Sequence, residues 1–497
     1  MNVFLMYPDR DFDMEKELAE YTGDLCQDLD FNVVFDVMGG GDSGIRKIAE
    51  TAMLLPMSDA EEILYRQDVL KDCLAFPEVV QQLYGLSSEV IDKESKNYLN
   101  FFKSYPEQIL GRSVNVLELF SEALGKLRGI AEKNISSFQS KGFRNFFGSM
   151  ISELNSDYMS QMKRYLKMLK FPNGIHAGTS LESGLHAEKY VLHSGASQKQ
   201  NIFGSLLGKK GRYFTYTISD QDSSQERGLS SLKDRALADV ASAVLASCSF
   251  ILNYFHSLKN ELSFYLGCLN LHRHLLKLGV TTCFPGIQGG SEKGISTDSI
   301  SNLGLVLAAQ NKISTNNLEA KDRKLVIITG ANQGGKTSFL KSIAQAQIMM
   351  QCGMFVAAHS YIGSVTTGIY THFTREEDAS MTSGKLDEEL TRMSRLVDEM
   401  SPGSIVFFND SFASTNEREG SEIAKQIINA LLACDITVYV VTHFYQLSHG
   451  YEKLDDPSFF FLRADRDQSG ARSYKILPGL PKKTGFSQDI YKQIVSA

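Results

Sequence analysis

The sequence lacks several features that would place it in a special class of proteins. It has only 10 prolines in 497 residues and no low-complexity run, which argues against a fibrous or disordered chain. Its seven cysteines are scattered, with no Cys-x-x-Cys pair and no histidine pair at metal-ligand spacing. We therefore expect free thiols in a reducing compartment, the cytoplasm, rather than a disulfide framework or a zinc site.

Positive charge is scarce over the chain as a whole but not in one segment. The net charge of −7 and the isoelectric point near 5.9 exclude a protein that is basic throughout. Residues 125–215, in contrast, contain 14 basic and 5 acidic side chains, a net charge of +9. Such a segment is a candidate contact for a polyanion such as nucleic acid. A solvated helix face has the same composition, so charge alone supports both interpretations.

One uncharged run has about the length of a membrane span. It is 240–258, with 19 residues that carry no formal charge, close to the roughly 20 residues that span a membrane. This run contains four serines, Asn253 and His256, and its large apolar residues recur at helical spacing. We therefore predict a buried amphipathic helix and no membrane contact. The N-terminus has no signal-peptide hydrophobic region.

The first part of the chain is predicted to be mostly helical. Apolar periodicity from Gly44 to Leu278 indicates helices over 59–76 and 114–134, and long strut-like helices over 231–279. A Gly- and Ser-rich region at about 172–230 contains one alternating, strand-like run, 211–219. A glycine run at 39–41 suggests an early boundary. The predicted domains are an N-terminal segment (1–43), a helical domain (44–299) and a third domain (300–497).

The third domain has a different pattern. Short, continuous apolar runs alternate with helical segments, at 324–330, 354–358, 404–410 and 436–443. Strands of this kind are buried on both faces of a sheet, so we predict a doubly wound α/β domain with a largely parallel sheet.

The first of these strands leads into a phosphate-binding motif. Residues 330–337, GANQGGKT, match G-x-x-x-x-G-K-[ST], and a helix is predicted from Lys336. Glycines let backbone N–H groups wrap phosphates, and the helix N-terminus adds the positive end of its dipole. Lys336 is predicted to reach the β- and γ-phosphates of ATP, and the Thr337 hydroxyl to ligate Mg²⁺.

The strand at 404–410 ends in Asn409 and Asp410, where ATPases of this kind usually carry Asp-Glu. In one register Asn409 replaces the magnesium-side acid and Asp410 replaces the glutamate that orients water. In the other, Asp410 is the magnesium-side acid and no base follows it. Asparagine offers oxygen without charge, and aspartate is shorter than glutamate, so both registers predict slow hydrolysis.

Two further positions have both a structural and a functional interpretation. His443 ends the strand at 436–443, where it could sense a γ-phosphate or play a structural role. Ser383 and Gly384 open a helix, where Ser383 could be an N-cap or could bind a phosphate across a dimer interface. In that helix, five apolar residues predict a single buried face: Leu386, Leu390, Met393, Val397 and Met400.

Together these signals resemble the ATPase domain of the MutS family of DNA mismatch-repair proteins. The similar segments occur in the family's order: TGANQGGKTS (329–338), GKLDEELTRM (384–393), SIVFFNDSFASTNEREG (404–420) and VVTHFYQL (440–447). Upstream, 51–72 resembles the family's helical core and 231–279 its lever, and 477–492 resembles the closing segment of the ATPase.

The resemblance implies an α/β P-loop ATPase domain of the ABC type, preceded by a mostly helical core and lever, in a dimer with composite ATP sites. It assigns nucleotide binding to the phosphate loop and adenine stacking to Tyr474. It also implies that His443 is the γ-phosphate sensor, that Ser383 or Gly384 acts in trans, and that His359 replaces the Q-loop glutamine. The phosphate-loop residues carried over are Gly330, Asn332, Gly334, Gly335, Lys336, Thr337 and Ser338.

The departures from the family shape the expected function. No G-x-[FY]-[FY]-E wedge precedes the helical core, and the chain shows no nuclease-like region after the ATPase, so we expect neither a mismatch-reading nor a nuclease domain. The clamp-like region at 172–230 is short. The residues expected to contact DNA are basic: Lys163, Arg164, Lys167, Lys209, Lys210 and Arg212.

Two functions follow from these expectations. The first is a dimeric ATPase that clamps duplex, mismatched or branched DNA in repair or recombination, with Lys336, Asp410 and His443 as its catalytic residues and with Thr337, Asn409 and Asp410 around Mg²⁺. The alternative is a nucleotide-gated dimeric scaffold with very slow hydrolysis, acting on structured RNA, a ribosome or a protein partner. An enzyme acting on a small phosphorylated substrate is disfavoured, since no separate acid–base pair is visible.

Overall fold

The structure is a computed structural model that describes residues 2–98, 105–172, 175–181, 187–193, 223–289, 293–375, 384–466 and 472–483. The chain forms two compact units. The first contains Met1–Val3, Gln81–Phe138 and Phe143–Lys259, and the second contains Phe4–Val80, Gln139–Gly142 and Asn260–Ala497. The domain boundaries predicted at 43/44 and 299/300 remain predictions. The strand predicted over 211–219 lies outside the described residues.

The described helices are numbered in chain order. They are α1 (Thr22–Asp28), α2 (Phe31–Gly39), α3 (Ser43–Met53), α4 (Ala60–Ala75), α5 (Pro77–Tyr98), α6 (Pro106–Asn134), α7 (Lys141–Glu153), α8 (Ser156–Leu169), α9 (Ser223–Lys277), α10 (Leu303–Ala309), α11 (Lys336–Gln351), α12 (Lys385–Glu399), α13 (Glu417–Ala433) and α14 (Tyr445–Glu452).

The described strands are numbered in the same way. They are β1 (His176–Leu181), β2 (Ala187–His193), β3 (Gly286–Ile287), β4 (Gly294–Ile300), β5 (Asn316–Lys321), β6 (Leu325–Thr329), β7 (Ser360–Gly363), β8 (Ile369–Phe373), β9 (Ile405–Asn409), β10 (Thr437–Val441), β11 (Phe459–Arg466) and β12 (Arg472–Pro478).

The first unit is built from α6, α8, most of α5, α7 and α9, and an antiparallel pair, β1 and β2. The helices predicted over 59–76 and 114–134 are present as α4 and α6, and the long helical run is one helix of 55 residues, α9. Part of the core of this unit is aromatic, and neighbouring rings lie 4.6–6.5 Å apart in a cluster of Phe138, Phe143, Phe146 and Phe147.

Helix α9 contains the uncharged run. Within the described residues, Lys233–Lys277 is long and apolar enough to cross a membrane, a test that core helices of soluble proteins also pass. Val244, Ile251 and Phe255 are buried as predicted, whereas Phe250 is 61% exposed. The exposed face otherwise carries small or polar side chains such as Ser242, Ser247 and Asn253, which favours water over lipid.

The second unit contains a six-stranded sheet in the order β12-β11-β6-β10-β9-β8. All neighbours are parallel except β11 and β12, which confirms the prediction of a largely parallel sheet. The strands predicted at 324–330, 404–410 and 436–443 are β6, β9 and β10. The strand predicted at 354–358 is wrong, since only Val356 forms an isolated bridge, to Cys283. That run is apolar because it is buried, and burial alone does not define a strand.

A smaller sheet in the second unit was not predicted. It has the order β3-β7-β4-β5, and its strands pair residues far apart in sequence. This sheet lies in the same unit as α11, the helix that follows the phosphate-binding motif.

Helix α11 is held in place by three buried glutamines. Each donates a hydrogen bond to a backbone carbonyl near the helix: Gln345 to Leu29 (2.8 Å), Gln347 to Ser364 (2.8 Å) and Gln351 to Met57 (2.9 Å). These bonds fix the position of the helix that carries Lys336.

Helix α12 corrects two predictions. Its N-cap is Gly384, and no side chain caps it, so the capping role predicted for Ser383, which lies outside the described residues, is not observed. The predicted apolar face is only partly buried, since Leu390 is 38% and Val397 48% exposed. The buried face instead combines Met393 and Leu396 with two charged side chains, Glu389 and Arg392.

Candidate functional site

The phosphate-binding motif joins β6 to α11 as a loop. The backbone at Gly330 and Gly335 has φ angles of 118° and 90°, values that side chains other than hydrogen rarely allow. Gly334 lies against β11, and a Cβ atom added there would be 2.8 Å from the Cβ of Ala464. The glycines of this motif are therefore required both by the backbone conformation and by the close approach of the next strand.

Lys336 begins α11 and turns back across the loop. Its Nζ donates hydrogen bonds to the carbonyl oxygens of Gly330 (2.8 Å) and Ala331 (3.0 Å). The side chain is buried, and burial lowers the pKa of Lys336, while the negative charge of Asp410 acts in the opposite direction. The ammonium group thus has only weak, exchangeable carbonyl partners, which phosphate oxygens could replace with stronger ones.

The carboxyl end of β9 meets the start of α11. The Thr337 hydroxyl donates a hydrogen bond of 2.7 Å to Oδ1 of Asn409. Of the two registers considered above, this geometry fits the one in which Asn409 occupies the magnesium-side position. The hydroxyl of Thr337, the amide oxygen of Asn409 and the carboxylate of Asp410 are all hard oxygen donors, the kind that Mg²⁺ accepts alongside water and phosphate.

Asp410 follows Asn409 in a left-handed conformation, with φ of 48°. It faces the end of β10, where Nδ1–H of His443 donates a 3.0 Å hydrogen bond to Oδ1 of Asp410. This bond is the main reason that the pKa of His443 lies above its ordinary value, although burial acts against it. The strand order places β9 next to β10, so the two side chains meet at one edge of the sheet.

These residues line one cavity of about 820 Å³. The cavity contains the predicted residues Asn332, Gly334, Gly335, Lys336, Thr337, Ser338, Asp410, His443 and Tyr474. Gly330 and Asn409 are not part of the lining but contact it through Lys336 and Thr337. The structure therefore brings together the residues predicted on three strand ends and in the loop.

The outer part of the cavity was only partly predicted. Tyr474 is 47% exposed, and its carbonyl oxygen accepts a hydrogen bond of 3.2 Å from Asn316. Oδ1 of Asn316 also accepts from the amide of Ile476 (2.8 Å), so this asparagine holds β12 at the cavity wall. Leu305 and Ile313 complete an apolar surface there. None of these three residues belongs to a motif; only the burial of a polar Asn316 is unusual.

Other predicted residues do not join this cavity. His359 lines a separate cavity of about 320 Å³ with Asp298 and Lys312. Gly384 is the exposed N-cap of α12, and Ser383 lies outside the described residues. Lys163, Arg164 and Lys167 are exposed on α8 in the first unit, on the same helix as the exposed Tyr158 and Tyr165. Lys209, Lys210 and Arg212 lie outside the described residues.

The cysteines take no part in the site. All seven have free thiols, five of them buried. In the part of the chain that the structure describes, no group of three or more His, Cys, Asp or Glu side chains is placed to hold a metal ion. A magnesium ion here would therefore depend on Thr337, Asn409 and Asp410 together with phosphate oxygens of the nucleotide.

Comparison with known protein families matches two domain models. Residues 58–278 match the MutS2 N-terminal domain, and residues 326–485 match MutS domain V, which is a P-loop ATPase domain. The second match contains β6, α11, Asn409, Asp410 and His443, all in the second unit.

Individual relatives are similar at modest identity. An Endonuclease MutS2 from Streptococcus equi subsp. equi is 27% identical over 199 residues, which cover 37% of this chain and 25% of the relative. An Endonuclease MutS2 from Lachnospira eligens is 30% identical over 169 residues, covering 33% of this chain and 21% of the relative. MutS protein homolog 4 from Homo sapiens is 27% identical over 143 residues, covering 29% and 15%. The matched part is thus at most a quarter of the length of these relatives.

Proposed function

Since this chain belongs to the MutS family, we propose that it is a dimeric, ATP-dependent DNA-binding protein that acts on duplex, mismatched or branched DNA in repair or recombination. The observation that carries the proposal is the phosphate loop, where Gly330 and Gly335 have the required backbone conformation and Lys336 lies across the loop. We propose that the protein acts in the cytoplasm.

The chain's own groups account for nucleotide binding. On arrival of ATP, Nζ of Lys336 leaves the carbonyl oxygens of Gly330 and Ala331 and bonds the β- and γ-phosphates. The backbone N–H groups of the loop and the start of α11 stabilise the same negative charge. Tyr474, with Leu305 and Ile313, forms the apolar wall that receives the adenine ring.

Hydrolysis depends on the groups at the ends of β9 and β10. Bound Mg²⁺ would neutralise developing charge on the phosphates, held by Thr337 and Asn409. Asp410 orients and polarises the attacking water, and His443 holds Asp410 by the hydrogen bond between them, which leaves its second ring nitrogen to sense the γ-phosphate. Asn409 contributes no charge, so we expect the rate to be low.

We further propose that two copies form composite sites of the ABC type. In this arrangement the Ser383–Gly384 end of α12 in one copy binds the γ-phosphate held by the Lys336 loop of the other. ATP then favours the closed dimer, because it contacts both copies only in that state. The helical domain proposed over 44–299 acts as core and lever and carries the closure to the DNA.

The DNA contacts are proposed for the basic segment of the first unit. Lys163, Arg164 and Lys167 project from α8, and Lys209, Lys210 and Arg212 belong to the same basic stretch. Phosphate contacts of this kind give affinity with little sequence preference, and the affinity falls steeply as salt rises.

The decisive experiment is the ATPase rate of the purified protein under five conditions: no nucleic acid, duplex DNA, mismatched DNA, branched DNA and structured RNA. Stimulation by one DNA form, reduced by moderate salt, supports the proposal and identifies the substrate. The same protein with Lys163, Arg164 and Lys167 changed to Gln should lose most of the stimulation while keeping its rate without DNA. Stimulation by RNA alone would contradict the proposal.

A second function is favoured by one observation, the pairing of Thr337 with an uncharged Asn409. It is a nucleotide-gated dimeric scaffold that binds ATP, hydrolyses it very slowly and acts on structured RNA, a ribosome or a protein partner. The double variant Asn409→Asp with Asp410→Glu tests it. A large rise in turnover without any effect of DNA would support the scaffold, and an unchanged rate would contradict it.

A further inference from the structure

The turn that carries Asp410 is held in an unfavourable conformation. Asp410 and Phe412 have φ angles of 48° and 64°, in the left-handed region. Aspartate tolerates this conformation, whereas it is strained for a bulky residue such as Phe412, and strained residues persist only where surrounding contacts impose them. The position of the Asp410 carboxylate therefore depends on the groups that hold residues 409–412.

The strongest of these contacts comes from α12. Oε2 of Glu389 accepts a hydrogen bond of 2.6 Å from the backbone N–H of Phe412. Glu389 is fully buried, at 0% exposure. On the other side of the turn, a Cβ atom added to Gly420 of α13 would lie 2.6 Å from the carbonyl oxygen of Phe412. The peptide of Phe412 is thus held between two helices.

A buried histidine completes the support. Nε2 of His372 lies 3.0 Å from the backbone carbonyl oxygen of Glu389, an atom that can only accept, so this nitrogen carries the proton. Burial lowers the pKa of His372 to about 3, so the ring is neutral. Its Nδ1 lies 2.8 Å from the Ser411 hydroxyl, which also donates a 2.6 Å hydrogen bond to the backbone carbonyl oxygen of His372. His372 connects Ser411 of the turn to the same residue of α12.

The polar groups around this connection are incompletely satisfied. Among the described residues, Oε1 of Glu389 and the Nε and Nη1 atoms of Arg392 are buried without a hydrogen-bond partner. Arg392 does donate a 2.7 Å bond to the carbonyl oxygen of Phe373. The Nε atom of Arg392 is 3.7 Å from the Glu388 carboxylate, an ion pair longer than a hydrogen bond. The buried atoms without a hydrogen-bond partner leave this contact with donors and an acceptor that can form other bonds if α12 moves.

We propose that Glu389 is a positioning residue for Asp410, and that it conveys to Asp410 whether the N-terminal end of α12, at Gly384, is engaged. Glu389 is five residues from Gly384, about 7 Å along the helix. A shift of α12 on engagement of its N-terminus moves the Glu389 carboxylate, and with it the peptide of Phe412 and the carboxylate of Asp410. The inference rests on the proposed ATPase function and on engagement of that helix end in trans.

Three substitutions of Glu389 separate the effect of its side-chain length from the effect of its charge. Glu389→Gln keeps an oxygen within reach of the Phe412 N–H, Glu389→Asp keeps the charge but withdraws it by one methylene, and Glu389→Ala removes both. Asp398→Asn, exposed near the end of the same helix, is the control. We expect kcat to fall about tenfold or more in the Asp and Ala variants, and less than about threefold in the Gln variant and the control. ATP affinity should change less than about twofold in all of them.

A second measurement needs no turnover. Hydrogen–deuterium exchange of a peptide covering 405–416 reports whether the amides of Asp410 and Phe412 remain protected. These amides are bonded to the carbonyl oxygen of Val441 (2.9 Å) and to Glu389. We expect faster exchange in the Asp and Ala variants, with the Gln variant close to the unchanged protein.

The outcomes distinguish this inference from the proposed function. An unchanged protein that neither binds nor hydrolyses ATP contradicts the proposed function, while the exchange measurement still tests Glu389. The inference is overturned if Glu389→Asp keeps both kcat and protection while Glu389→Gln loses them, because charge rather than reach would then matter. It is also overturned if the Ala variant loses thermal stability but keeps both kcat and protection of 405–416. If the Ala variant does not fold, the Asp and Gln pair alone decides.

Discussion

The two sides of the nucleotide cavity differ in how completely they carry the groups that P-loop ATPases use. The phosphate side has the glycines, the lysine and the threonine in their places, and its lysine already lies over the loop. The carboxylate side has Asn409 where an acid is expected, and Asp410, the carboxylate in the described lining of the cavity, is hydrogen-bonded to His443. Since phosphate binding uses N–H groups and an ammonium charge, it does not depend on those carboxylates. Binding and hydrolysis are therefore separable in this protein.

The two sides also differ in backbone conformation. Of the three left-handed residues in the phosphate loop, Gly330 and Gly335 adopt that conformation without cost, and only Gln333 has a side chain. On the carboxylate side both left-handed residues, Asp410 and Phe412, have side chains. The loop therefore needs less support against backbone strain than the turn, which is held by α12 and α13. We expect substitutions remote from the nucleotide to affect hydrolysis more than binding.

The largest effect should come from the phosphate side. Lys336→Ala removes the only side-chain ammonium in the described lining of the cavity, and charge-assisted bonds to phosphate are worth about 1.5–3 kcal/mol each. We expect ATP affinity to fall at least about 100-fold, measured by equilibrium binding with Mg²⁺ present. Lys324→Ala, an exposed lysine next to β6, removes the same charge from the same unit and should bind normally. Retained affinity in Lys336→Ala would remove the basis for an ATP site.

The second-largest effect should be on the rate of ATP hydrolysis and not on ATP affinity. Asp410→Asn keeps the size of the side chain and tolerates the left-handed backbone, but removes the carboxylate that polarises water. We expect kcat to fall about 100-fold, with ATP affinity changed less than about threefold. Asp455→Asn is a matched control, because Asp455 is exposed and also left-handed, with φ of 47°. An equal loss of affinity and rate would mean that the two sides of the cavity are not separable.

A smaller effect is expected when the negative charge that position 409 lacks is restored. Asn409→Asp places a carboxylate beside the Thr337 hydroxyl, 2.7 Å from the present amide oxygen. Magnesium prefers charged oxygen ligands, so the concentration that half-saturates ATP hydrolysis should fall about tenfold. Asn311→Asp, which adds the same charge at an exposed position, should leave it unchanged. If both variants behave alike, Asn409 is not on the magnesium side.

The same contrast explains what could be predicted from sequence. Strands β6, β9 and β10 were predictable because each is a continuous apolar run with a site residue at its end or within two residues after it. Strand β5, NNLEAK, was not, since only alternate residues are buried and two of the buried ones are asparagine and alanine. Its pairing with β4 depends on tertiary contacts that no local pattern contains.

The residues of the site also differ in how far the sequence predicts them. The phosphate loop is a contiguous motif, and its chemistry follows from spacing. Asn316 and Glu389 belong to no motif and reach the site only through the packing of β5 against β12 and of α12 against the turn after β9. Helical periodicity predicts a buried Leu390, whereas the structure exposes Leu390 and buries its neighbour Glu389. A buried ion on a helix is determined by its tertiary partners, which the sequence does not display.

The smallest effect concerns the pair on the carboxylate side and its dependence on pH. The hydrogen bond that His443 donates to the Asp410 carboxylate raises the pKa of His443 above its value of about 6.5 in the unfolded chain. The stabilisation is therefore fully present below about pH 6.5 and is lost as pH rises through the folded pKa. Because the ring is half exposed, solvent screens the interaction, and we expect it to contribute less than about 1 kcal/mol to the free energy of unfolding.

A double-mutant cycle isolates the coupling between the two side chains. It compares denaturant unfolding, without nucleotide or Mg²⁺, of the unchanged protein, Asp410→Asn, His443→Gln and the double variant. This coupling should be favourable at about pH 6 and close to zero at about pH 9; a pH-independent coupling would mean that the bond does not involve a protonated His443, and that Asp410 is held by the turn alone.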